Sequence, residues 1–133
     1  MKLFKTLITL LLESVSNSTI KDAITNKHTC DLRYMDDEKL PGGGQPRIIE
    51  PVAYGYSLKN NPVIRAYQTS GPSLKVSKDG IPLPAWRLFR TDRVKSMKPI
   101  KGKDSLFLTF GEPPLYDTTG DKSMSRMMYN SKF

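Results

Sequence analysis

The chain has 133 residues, 38% of them apolar and 26% charged, with a formal net charge of +8. That length allows one domain with terminal extensions, and the apolar share is too high for a wholly disordered chain. A single cysteine and a single histidine exclude an intrachain disulfide, a four-ligand Cys or Cys/His zinc site and a multi-histidine metal centre.

Ten prolines and nine glycines favour many turns and short strands over a helical bundle. The charge is uneven. Residues 1–70 hold nine bases and seven acids, a net of +2, whereas residues 71–133 hold twelve bases and six acids, a net of +6. A basic C-terminal half suits a polyanionic partner, an acidic protein neighbour or a solvated face, and charge alone does not separate them.

Residues 3–15 read as a helix, with Leu3, Leu7, Leu10 and Leu11 in one stripe. Lys2 and Lys5 ahead of L-I-T-L-L-L imitate a signal peptide, but Glu13 closes the apolar run, well short of the roughly 20 residues a membrane span needs. A retained segment, no membrane partner and a cytoplasmic location are expected, with the virion as the alternative. A second short helix over T-I-K-D-A-I is expected to be capped by Ser18.

Cys30, Leu32 and Tyr34 then alternate with Thr29, Asp31 and Arg33 as in a half-buried strand. Cys30 reads as a core residue, and the His28–Cys30 pair lacks a third catalytic group. Residues 35–46 read as a loop with solvated acids at 36–38 and a mobile Gly run at 42–44 that has no phosphate-loop ending. R-I-I-E-P-V-A-Y-G-Y, 47–56, reads as a strand that ends or bends near Pro51. V-I-R-A-Y-Q-T, 63–69, is the next strand and keeps Arg65 on one face with Tyr67.

The stretch from Pro84 to Lys103 organises the rest. It contains the only tryptophan, Trp86, and from Arg87 onward seven bases against Asp92. A strand with Trp86 and Leu88 on one face and Arg87 and Phe89 on the other is expected, then a tight turn at T-D-R and a further strand or short helical turn. S-L-F-L-T-F at 105–110 reads as another strand. Beyond it lies an extension in which Met124, Met127 and Met128 lie in a short turn and Tyr129 and Phe133 act as anchors.

R-I-I-E-P at 47–51, V-I-R-A-Y at 63–67 and W-R-L-F-R-T-D-R-V at 86–94 together resemble the WYL domain family, in particular short stand-alone WYL-like proteins of tailed bacteriophages. The resemblance covers roughly residues 19–100. It implies a mainly β fold, a small Sm-like or SH3-like β-barrel, with an N-terminal helical arm (1–18), the barrel domain (19–110) and a C-terminal extension (111–133). It implies a regulatory module that senses nucleic acids or nucleotides, with Arg47, Tyr67, Arg87, Arg90 and Arg93 at its basic and aromatic positions. The tripeptide that names the family is replaced here by the I-R-A-Y region, and the winged helix of larger members is missing, so a full-length DNA-reading regulator is not expected.

The expected function is therefore a non-enzymatic nucleic-acid- or nucleotide-binding module, binding DNA or RNA through Arg47, Arg65, Tyr67, Arg87, Arg90, Arg93 and Lys95. The alternative is a virion or assembly protein that packs through its terminal arms on other virion proteins or on itself. No paired carboxylates, metal cluster, triad or nucleotide fingerprint points to an enzyme, and no cofactor is expected.

Overall fold

The computed structural model describes residues 16–74, 78, 80, 82–102 and 120–131. The helix expected over 3–15 and the strand expected over 105–110 lie outside the described residues.

The first element is helix α1, Asn17–Thr25. Its N-cap is Ser16, two residues earlier than the sequence suggested, and the Ser16 hydroxyl accepts from the Thr19 N–H at 3.2 Å. Ile20, Ala23 and Ile24 follow the i, i+3, i+4 spacing and are fully buried. The Asn26 side chain donates back to Asp22 at 2.7 Å where the helix ends.

Six strands follow: β1 Cys30–Tyr34, β2 Arg47–Ser57, β3 Pro62–Ser70, β4 Ala85–Arg90, β5 Val94–Pro99 and β6 Met124–Asn130. All their ladders are antiparallel, and the sheet runs β4-β3-β2-β1-β5. The eleven-residue β2 is the spine. One edge pairs with β3. The other is shared, with β1 on Arg47–Ile49 and β6 on Ala53–Ser57. Pro51 sits between those two partners, where the β2–β3 register also slips. A residue without an N–H is tolerated at such a break, so the bend expected near Pro51 is a bulge within one continuous strand.

The expected Sm-like or SH3-like barrel is not formed. The result is a small mixed α/β domain, a helix followed by an open antiparallel sheet. Closure would need a ladder between the end strands β4 and β5, and among the described residues none exists. A three-residue 3₁₀ turn, Thr91–Arg93, joins them at the position expected for the T-D-R turn. The backbone groups beside it are used otherwise. The Arg90 N–H donates to the Tyr34 hydroxyl at 3.1 Å, and the Met35 N–H donates to the Arg93 carbonyl at 2.9 Å.

Both faces of the sheet are packed. Cys30, Leu32, Ile49, Ile64, Ala66 and Phe89 join α1 in one cluster. Val52, Ala53, Val63 and Met124 form a second, against which Tyr67, Trp86 and Leu88 pack. The short turn expected through Met124–Met128 is instead strand β6, and the segment is fastened to its own domain. Tyr129 stacks on Tyr54 at 5.7 Å, and just past β6 the Ser131 hydroxyl donates to the Ile24 carbonyl of α1 at 2.6 Å.

Candidate nucleic-acid interface

Alternation along β2 puts Arg47 on the same face as Ile49, at the inner end of the sheet. Arg47 is 5% exposed. Its Nε and one terminal nitrogen donate to the Asp37 carboxylate at 2.9 and 2.6 Å, and its other terminal nitrogen donates to the Gln68 side chain at 3.1 Å. The Tyr34 and Phe89 rings flank the guanidinium at 5.4 and 5.3 Å. Asp37, expected as a solvated loop acid, is thus a buried counter-ion. The Asp37 turn is held by Gly43, where a Cβ would run into the Asp37 carbonyl oxygen. That glycine serves close packing of the loop rather than mobility.

Three more of the expected residues are committed within the domain. Arg65 makes a two-pronged ion pair with Asp121, at 2.7 and 3.1 Å, which ties the segment before β6 to β3. Burial pushes the Asp121 carboxyl up. The hydrogen bonds from Arg65 and from the Ser123 N–H, with the charge of Arg65, outweigh it and hold the carboxyl below its ordinary range. Tyr67 is half-buried against Trp86, ring centroids 5.1 Å apart. Arg90 grips Asp92 at 2.7 and 3.1 Å.

Arg87 departs furthest from a solvated basic face. It shares the inner face of β4 with Phe89 and is buried, donating to the Trp86 carbonyl at 2.9 Å and the Ser73 hydroxyl at 3.1 Å. Burial, then the neighbouring charge of Arg47, lowers its pKa.

Within the basic stretch from Arg87 onward, the bases left on the surface lie along β5 and at its two ends instead. Arg93, Lys95, Lys98 and Lys101 are exposed, and among the described residues none of them forms an ion pair. A bulge contributes to their placement. Arg33 pairs with Ser96 and Tyr34 with Val94, so Lys95 is the extra residue on β5. It opens beside Arg33 into a cleft of about 350 Å³ that Tyr34 and Gly44 also line. Lys98 lies opposite Asp31, and the Ile100 N–H continues the pairing onto the Thr29 carbonyl. From Lys95 to Lys98 the strand offers positive charge over about 10 Å, at roughly 3.3 Å per residue, with Arg93 in the turn before it and Lys101 just past its end.

Of the expected site, then, Arg93 and Lys95 stand on this surface, and Arg47, Arg65, Tyr67, Arg87 and Arg90 are engaged elsewhere. Sequence reasoning missed Arg33, Lys98 and Lys101 as members. Lys98 and Lys101 fell within the basic stretch, but Arg33 joins only through the β1–β5 ladder. Among the described residues no three His, Cys, Asp or Glu side chains converge as a metal ion would require, and no helix is long and apolar enough to cross a membrane.

The fold and this surface define a small mixed α/β domain with a basic edge strand. Comparison with protein-family models, with curated proteins and with solved structures gives no match. The likeness to WYL domains thus rests on short sequence motifs alone.

Proposed function

We propose that this domain is a nucleic-acid-binding module whose contact surface is β5 with the Arg33–Lys95 cleft. One observation carries the reading. Within the basic stretch 87–101, the exposed bases without an ion pair among the described residues, Arg93, Lys95, Lys98 and Lys101, cluster on one edge strand and its two ends, beside Arg33 on the neighbouring strand, whereas the buried and paired arginines lie elsewhere. Lysines along an edge strand also discourage strand-to-strand association, and the same charges suit phosphate oxygens. Contacts of this kind position a backbone and carry little base preference.

The test is fluorescence anisotropy with single- and double-stranded oligonucleotides from about 50 to 200 mM salt, a range in which phosphate contacts weaken strongly. Replacing Lys95, Lys98 and Lys101 together by alanine lowers the slope of log affinity against log salt by about 2 on a single strand, at roughly 0.7 per contact. Lys59→Ala with Lys122→Ala, both exposed and away from β5, leaves the slope nearly unchanged. Equal losses in the two sets, or no binding by the unaltered protein, would overturn the proposal.

A further inference from the structure

A second cleft, of about 390 Å³, opens on the other side of Tyr34. Its apolar wall is made by Met35, Leu40 and Leu74, and Met35 and Leu74 are 49% and 52% exposed. Its floor is the Arg47–Asp37 pair, and Arg93 stands on its rim. Asp36, also on the rim, is paired with Lys39 at 3.4 Å.

The charge beneath this floor is unbalanced. Arg47 is matched by Asp37. Arg87 lies close to Arg47, 7% exposed, and among the described residues is bonded only to the Trp86 carbonyl and to the hydroxyl of Ser73, the residue next to Leu74. Its Nε has no acceptor among the described residues. A guanidinium does not lose its proton in a protein, so among the described residues on this face of β2 two buried cations face one carboxylate, the other buried acid, Glu50, being on the opposite face of β2 from Arg47. A buried charge without a counter-ion is costly, and a low-dielectric setting carries its field to nearby sites. Arg93 adds to that field from the rim.

We propose that this cleft binds a small organic anion, a carboxylate or a phosphate monoester carried on a flat apolar body. The anionic group would lie between the Arg93 guanidinium and the floor, and the body would lie on Met35, Leu40 and Leu74. The volume falls within the span of small-molecule sites, roughly 300–1,000 Å³. The inference does not rest on the nucleic-acid reading: Tyr34 and Asp37 line both clefts and Arg93 is common to both surfaces, but the apolar wall of Met35, Leu40 and Leu74 belongs to this cleft and not to the first.

The experiment is titration of the ¹⁵N-labelled protein with phenyl phosphate, benzoate and the neutral benzyl alcohol, following backbone amide shifts. Saturable shifts centred on Met35, Leu40, Leu74 and Arg93 are expected with at least one of the two anions, which also tells the phosphate head from the carboxylate. Benzyl alcohol is expected to bind at least about tenfold more weakly, the equivalent of ~1.4 kcal/mol. Leu74→Glu, a surface change that brings a negative charge to the wall, should weaken the anion by about tenfold or more and leave oligonucleotide binding intact. Lys95→Ala/Lys98→Ala/Lys101→Ala should do the reverse. Arg87→Met should erase the preference for anion over alcohol in a protein whose spectrum stays dispersed. Shifts that do not saturate, that lie outside the cleft, or that are matched by benzyl alcohol would overturn the proposal, as would indifference to Leu74→Glu.

Discussion

Removing the Asp37 carboxylate by Asp37→Ala isolates the cost of an unpaired buried charge. Arg47 would lose the two charge-assisted bonds of 2.6 and 2.9 Å and keep Gln68 at 3.1 Å and its two flanking rings. The side chains of the pair are 6% and 9% exposed, so water does not replace the lost partner. Breaking one side of such a pair costs about 3–5 kcal/mol. At roughly 3 °C per kcal/mol for a domain of this size, the melting temperature falls by about 10 °C or more. The double change Asp37→Leu/Arg47→Met removes both charges together and is expected to cost less than Asp37→Ala alone, because no ion is left stranded. Urea unfolding followed by Trp86 fluorescence measures both, since the single tryptophan packs against Tyr67 in the fold. A loss below about 1 kcal/mol for Asp37→Ala, the range of a surface pair, would refute the reasoning. So would a double mutant as unstable as the sum of the two single changes.

Three further outcomes follow from other contacts. The Asp121 carboxyl is held below its ordinary range in the folded state, so its contribution is present above the unfolded pKa and is lost as pH falls through the folded one. The difference in urea midpoint between the unaltered protein and Asp121→Asn should therefore be largest near neutral pH and shrink in acid; a gap that stays constant down to about pH 2 would count against the Arg65 pair. The Cys30 thiol is pushed up to about 12 by burial, helped by the charges of Asp31 and Asp22. At pH 8 it should resist a thiol reagent in the native protein and react at once in urea; fast native labelling would contradict its placement. Gly55→Ala would drive a Cβ into the Arg126 carbonyl and to 2.9 Å from the Met127 Cα. Amide exchange should then rise through β6 while the β1–β5 ladder keeps its protection; unchanged exchange in β6 would refute the close approach.

The strands were legible wherever burial alternates locally. Cys30, Leu32 and Tyr34 share a face as their spacing requires, and so do Ile64, Ala66 and Gln68. The faces of β4 were also legible, with Arg87 and Phe89 together. What that meant was not, because alternation assigns a side without saying which side is covered. Arg47 carried a usable signal, the lone base at the start of a largely apolar strand. Its counter-ion did not, since Asp37 lies across a glycine loop in what reads as a solvated acidic run.

Length, charge asymmetry, the short strands and the turn at residues 91–93 follow from the sequence by itself, because composition and local steric preference act between near neighbours. The tertiary structure alone decided that the sheet stays open, that β6 returns to β2, that Arg65 is matched by an acid 56 positions away, and that the free basic surface is β5 rather than β4. Each of these depends on which distant strand supplies a partner or a cover. A long-range pairing is chosen by the packing of the whole domain and leaves no spacing in the chain to read.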